Sequence, residues 1–412
     1  MGRAHLFFAE QIGDTSVLYH SDVNELMSDP VDIHVGAFNT VRVVADRIGM
    51  VYLIATGANN SVLFSSAKAE DAGSAAAWEP LREIATATLG ADLATDGAGR
   101  LHLCYPSGNE LRHSMSSDGG ATWTNGVGIT QTHEVDAIAV EVSCAVDSEG
   151  VVHAIWSEVV PPNYYPSLGI YYSNSSTEGK SWHDPELIAG LHNTLPRLLP
   201  TDSGLVHLIW QGDVALGGRY YRNRIAGLVS QWTPTESLVP PGEGGMSGVA
   251  GMAVDGLDRL HAVVAVTKGT VWAARDDGWT PTVLLTGTLH DLPNRTGSVG
   301  EGPSLAIAQG NELTLTFNFD LHRVYMIQGL INSPQAMATP DSLPTNNATA
   351  VRLKIATPLP TAILGNPTAT RALAAEGFVE FPGGQSNIGV ILGLLSAVII
   401  VAAALQIQRT KR

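Results

Sequence analysis

Residues 91–124 run ADLATDGAGRLHLCYPSGNELRHSMSSDGGATWT, and their reading decides the fold. An apolar run reaches the turn Asp96-Gly97-Ala98-Gly99 and continues into a short strand, Leu101 to Tyr105. Pro106 to Asn109 turn the chain into a third run, Glu110 to Met115, and a compact loop from Ser116 to Trp123 closes the unit. Short β-rich runs punctuated by Gly, Asn and Asp are what an antiparallel meander needs, because those residues accept the backbone angles of tight turns.

The unit recurs along the chain. Its first turn returns as Asp46-x-x-Gly49, Asp147-x-x-Gly150, Asp202-x-Gly204 and Asp255-x-x-Asp258, and as Gln309-Gly310-Asn311 without the acid. The spacing of about 50 to 55 residues is that of a four-stranded propeller blade. The strand after each turn carries one polar residue between apolar ones: Tyr52, His102, His153, His207, His261 and Thr314. Five of the eight tryptophans, Trp78, Trp123, Trp182, Trp232 and Trp279, fall at the loop position of a repeat, which is too regular for chance.

The loop Ser116-x-Asp118-x-Gly120-x-Thr122-Trp123 resembles the Asp box of the bacterial neuraminidase repeat. Ser175-x-Thr177-x-Gly179-x-Ser181-Trp182 is similar but lacks the acid, and Asp71-x-Gly73 before Trp78 is a stretched copy. The resemblance covers about residues 1–331 and implies a sialidase-like β-propeller, in which Ser116, Asp118, Gly120, Thr122 and Trp123 are structural and lie away from the catalytic face. It specifies function poorly, since the box occurs in glycosidases and in non-enzymatic propellers alike. Second strands beginning near Ala4, Val51, Leu101, Val152, Val206, Leu260 and Leu313 predict an all-β propeller of seven four-stranded antiparallel blades, or six if the terminal repeats merge.

Composition agrees. Charged residues are only 15%, and a net charge of −16 with no basic patch disfavours nucleic acid. Cys104 and Cys144, on neighbouring repeats, read as buried thiols, with pairing as the alternative. Gly2-Arg3-Ala4-His5 aligns with Gly99-Arg100-Leu101-His102, so the chain starts inside a repeat, without a first strand or a signal peptide. A start upstream of Met1 is the favoured reading; completion of blade one by Ala350 to Ile355 is the other.

Beyond the repeats the period disappears. Residues 332–387 are rich in Pro, Thr and Ala and read as a disordered stalk. Residues 388–407 are apolar except for Ser396 and Gln406, about the length that crosses a bilayer core. The basic tail 408–412 then predicts a single-pass anchor with the propeller outside the cytoplasm. Asn59, Asn174, Asn294 and Asn347 lie in glycosylation sequons.

The strand histidines occupy one position in successive repeats, so they spread around a ring and read as packing groups; neither a metal nor a cofactor is expected. Chemistry belongs on the face opposite the boxes, where long polar loops sit on a rigid scaffold. That face supplies Tyr164, Tyr165, Asp213, His192, His290 and Asp291 as candidates for binding a glycan or protein ligand outside the cell. The resemblance to sialidases implies a carboxylate-binding arginine cluster, for which Arg42, Arg197 and Arg295 are available, although the Arg-Ile-Pro motif is missing. Tyr164 or Tyr165 with Glu158 would then stand for the Tyr/Glu nucleophile pair and Asp291 for the acid. A non-catalytic binding propeller is the preferred reading and a tethered sialidase-type glycosidase the alternative.

Overall fold

The computed structural model describes residues 5–12, 15–22, 31–57, 59–87, 89–163, 166–213, 217–227, 231–243, 248–266, 269–285, 303–320 and 323–335. Seven antiparallel sheets follow one another along the chain as the blades of a propeller ring. Blade 1 holds β1 (His5–Ile12), β2 (Thr15–Asp22) and β3 (Val31–Gly36); blade 2 holds β4 (Phe38–Ala45), β5 (Met50–Gly57), β6 (Ser61–Lys68) and β7 (Arg82–Thr86). Blade 3 is β8 (Asp92–Thr95), β9 (Leu101–Ser107), β10 (Glu110–Ser116) and β11 (Val127–Gln131). Blade 4 is β12 (Ile138–Val146), β13 (Val152–Val159), β14 (Gly169–Ser175) and β15 (Glu186–Ala189). Blade 5 is β16 (Thr194–Pro200), β17 (Leu205–Gln211), β18 (Arg219–Ile225) and β19 (Glu236–Val239). Blade 6 is β20 (Gly251–Val254), β21 (Leu260–Val266), β22 (Gly269–Arg275) and β23 (Val283–Leu284), and blade 7 is β24 (Ser304–Ala308), β25 (Glu312–Asp320) and β26 (Arg323–Leu330).

The second strands β1, β5, β9, β13, β17, β21 and β25 each begin within one residue of the expected position. Seven sheets decide the blade count. Among the described residues blades 1 and 7 have three strands, and blade 1 lacks the strand that would precede β1. First strands of adjacent blades touch, β4 with β8, β8 with β12, β12 with β16 and β20 with β24, so these strands surround the axis.

The turn acids hold the hairpins together. In Asp147, one carboxylate oxygen accepts the Glu149 and Val151 N–H groups, both at 2.9 Å, and the other lies 3.0 Å from Nε2 of His153. Asp46, Asp96 and Asp255 repeat the two backbone bonds. Tyr52, His102 and His261 take the place of His153. In blade 5 the expected acid, Asp202, is displaced by one residue: Thr201 fills the turn and accepts the Leu205 N–H. Asp202 instead pairs with Arg47 of blade 2. A hydroxyl can satisfy that amide as a carboxylate does, and this freed the acid for another partner.

Each loop tryptophan packs edge-on against an aromatic ring of the preceding blade. Trp78 meets Phe7 and Trp123 meets Phe64; Trp182 meets His113, Trp232 meets Tyr172 and Trp279 meets Tyr221, with centroids 5.2–5.7 Å apart. The tryptophans therefore staple blade to blade. A side chain at Gly120 or Gly179 would collide with Phe64 or His113, and both glycines adopt positive φ, so this loop position admits glycine alone. Cys104 and Cys144 are buried free thiols whose sulfurs meet at 2.8 Å across the seam of blades 3 and 4. Burial beside the Cys104 thiol pushes the Cys144 thiol well up from its usual value.

No helix among the described residues is long and apolar enough to cross a membrane. The stalk at 332–387 lies outside them except for its first four residues, and the span at 388–407 and the tail lie wholly outside.

Candidate functional site on the loop face and the axis

Two residues of the sialidase-type set, Arg42 and Arg197, come together. They lie on the first strands of blades 2 and 5 and meet Asp92 on the first strand of blade 3. Arg42 Nε is 3.7 Å from one oxygen of Asp92 and Arg197 Nη1 is 3.4 Å from the other, which also accepts the Cys144 N–H at 2.9 Å. A bulge between Thr194 and Arg197 shifts the register of β16 just ahead of Arg197. Burial and the neighbouring Arg197 charge push Arg42 down to about 10. Buried Glu141, in the bulge of β12, accepts the Ser157 and Thr194 hydroxyls and the Leu195 N–H, and burial still holds its carboxyl above the usual value.

Glu158 belongs elsewhere. It ends β13 on the loop face, fully buried, and its described partners are His133 and Trp156. The His133 N–H donates to it at 3.0 Å, the His133 ring Nδ1 lies at 2.9 Å, and the Trp156 indole N–H donates at 3.1 Å. The His133 ring stacks on Tyr171, with centroids 3.9 Å apart and planes 14° from parallel, and Tyr171 in turn stacks on Trp156 at 6.2 Å. His133 is the exposed outer layer, 38% accessible. Burial and the carboxylates of Glu158 and Glu134 raise the Tyr171 phenol.

This surface continues into blade 5. The Leu168 N–H donates to the Glu158 carbonyl, and the His192 N–H donates to the Ser167 carbonyl. His192 then lies 3.7 Å from Asp213, both partly exposed. The Trp210 indole donates to Asn193 at 2.9 Å and stacks near Tyr220 at 5.7 Å, repeating the Trp156–Tyr171 pair one blade on. Tyr164, Tyr165, His290, Asp291 and Arg295 lie outside the described residues.

On the opposite face the Ser116–Trp123 loop is self-contained. Ser116 accepts the Gly120 N–H at 2.8 Å, Asp118 accepts the Thr122 N–H at 2.9 Å, and the Trp123 indole donates to the Gly120 carbonyl at 3.0 Å. The Thr122 hydroxyl and amide pull Asp118 down to about 2. Nothing in this loop is poised for proton transfer. The strand histidines are likewise engaged inside their own blades, His102 with His113, His153 with Tyr172 and His207 with Tyr221. Among the described residues no cluster of His, Cys, Asp or Glu has the makings of a metal site.

Sequence reading missed Asp92, His133 and the Trp156–Tyr171 pair. A signal for the last was present: Tyr105, Trp156 and Trp210 each stand three residues after a strand histidine. Sequence gives no comparable sign of Asp92, because its role comes from three blades meeting at the axis.

No protein-family model matches the chain and no curated protein matches it. Among solved structures it is similar to the BP39L lectin from Burkholderia pseudomallei, with a TM-score of 0.57 and 10% identity over 80% of this chain and 93% of the lectin. It also aligns with a polysaccharide lyase described as a PL25 ulvan lyase (TM-score 0.49, 10% identity, 72% of this chain and 82% of that one). A third alignment, with the polysaccharide lyase Uly1, has a TM-score of 0.46 and 12% identity over 81% and 87% of the two chains. The chain is a seven-bladed β-propeller by its own sheets, and at 10% identity the likeness to the lectin concerns the fold alone.

Proposed function

We propose that this chain is a cell-surface propeller, anchored by residues 388–407, that binds a carbohydrate through the loop face of blades 4 and 5 and does so without catalysis. Fold alone does not assign function, so the proposal rests on the site. The carrying observation is the layered stack of His133, Tyr171 and Trp156 with Glu158 beneath it. Ligand sites pair an apolar or aromatic wall with a few placed polar groups. Sugar rings suit such a wall, since their C–H faces pack on aromatic rings while their hydroxyls seek carboxylates and imidazoles at the rim. His192 and Asp213 supply that rim. Glu158 is too buried to meet a ligand and acts by fixing the tilt of His133.

A second reading, a sialidase-type glycosidase, is favoured by the meeting of Arg42 and Arg197. Against it, Asp92 already lies between the two guanidiniums, and Glu158 is committed to His133 and Trp156. A glycan array probed with the detergent-solubilised full chain, together with a fluorogenic sialoside assay, separates the readings. Glycan binding without hydrolysis supports the first; sialoside turnover lost in Arg197→Gln supports the second; neither binding nor turnover removes both.

A further inference from the structure

We infer that the axis of the ring holds a small inorganic monoanion of chloride type, bound by Arg197 beside Asp92 and Arg42. Three side chains from blades 2, 3 and 5 meet there, with side-chain accessibilities of 11% for Arg42, 2% for Asp92 and 6% for Arg197. Two guanidiniums converge on one carboxylate in a nearly dry place. The carboxylate cannot serve both cations well. Its oxygen nearest Arg197 is shared with the Cys144 N–H, and the Arg197 contact is single and long at 3.4 Å rather than a two-pronged fork.

The consequence falls on Arg197. Its Nη2 is buried and has no hydrogen-bond acceptor among the described residues. A buried charged donor left without an acceptor is among the costlier defects a fold can carry, and native structures rarely keep one without a ligand, ion or water to fill it. A buried cationic N–H calls for a negatively charged acceptor, and the burial calls for a small one. A spherical monoanion meets both requirements, takes the free N–H, and leaves the Asp92 contacts intact. The ion would then tie blade 5 to blades 2 and 3 across the ring. This site is separate from the loop-face stack, and the inference stands whether or not that stack binds a sugar.

The test is thermal melting of the full chain at constant ionic strength while sodium gluconate is replaced by sodium chloride. The expected result is a saturable rise in Tm of about 2–5 °C, the signature of a ligand bound only to the folded state. Arg197→Gln should remove the chloride dependence, whereas Arg47→Gln, which cuts the exposed pair with Asp202, should keep it. A Tm indifferent to the anion overturns the inference, as does the same chloride dependence in Arg197→Gln. A saturable rise given by glucuronate but not by chloride also overturns it, by assigning the site to a ligand carboxylate. Should Arg197→Gln fail to fold, wild-type crystals grown in sodium bromide decide the matter: an anomalous peak against Arg197 Nη2 is expected, and a blank axis refutes it.

Discussion

Replacing Asp147 by alanine tests what holds a blade together. The Asp147 carboxylate, with no exposed side-chain surface, serves four groups: the Glu149 and Val151 amides, the His153 ring and, from blade 5, the Gly227 N–H at 3.0 Å. Alanine leaves all four without their acceptor. Water can reach the partly exposed Glu149 and Gly227 amides, but not the Val151 amide or the His153 ring, which are buried. A buried donor left unsatisfied costs ~1–3 kcal/mol, so the two together predict a loss of about 3–5 kcal/mol, in line with breaking a buried pair. Asp147→Asn keeps an acceptor for the Glu149 and Val151 amides and should cost only about half as much. The assay is urea unfolding followed by tryptophan fluorescence, reading the shift of the midpoint at unchanged m-value. An alanine variant that loses less than ~1 kcal/mol, or an asparagine variant as damaged as the alanine one, would refute the assignment of these bonds as the hairpin's support.

Four further outcomes follow from the same geometry. Trp78→Ala should destabilise by about 3–5 kcal/mol, because Trp78 is buried against Phe7 and His34, and Trp123→Ala by less, because Trp123 is half-exposed; a loss below ~1 kcal/mol for Trp78→Ala in urea melts would contradict the blade-to-blade stapling. Acid should unfold the ring through its histidines: burial depresses His113 to about 3 and His207 to about 4, below the usual 6.5. A depressed pKa means stability that is complete above pH 6.5 and is lost as pH falls from there down to those values, at ~1.4 kcal/mol per pH unit for each ring, and a Tm flat from pH 6.5 to 4 would contradict it. Thiol alkylation should label neither cysteine in the folded chain and both after unfolding; a mass two hydrogens light would show them paired instead. If the propeller is made in a secretory pathway that glycosylates sequons, Asn59 should carry sugar and Asn174 should not, since Asn174 is buried and donates to the Tyr172 hydroxyl; peptide mapping reads both.

The fold was legible because each repeat states its needs locally. Alternating apolar residues, a turn acid and a glycine-bearing loop suffice to begin β9 at Leu101 and β13 at Val152. Asp202 shows the limit, since Thr201 does the same work and the motif then points one residue off. The partners of the tryptophans were illegible for a different reason: Phe64, His113 and Tyr172 sit about 60 to 70 residues before the rings they meet, and only the packing of blade on blade brings them together. At the site, composition singled out Glu158 and His192 as polar loop residues. It could not say that Glu158 faces His133 and not the arginines, because that depends on which side of β13 the chain turns.

Carbohydrate recognition by the loop face is tested most directly by calorimetric titration of the wild-type chain and Tyr171→Ala with the strongest glycan from the array. Tyr171 is half-buried and packs against Trp156, so its removal should lower Tm while leaving the ring folded at the titration temperature, and it takes away the platform on which His133 rests. The expected result is at least a tenfold loss of affinity, about 1.4 kcal/mol, with His133→Ala behaving alike. Full affinity in both variants, with the fold intact, would contradict the placement of the sugar on this stack.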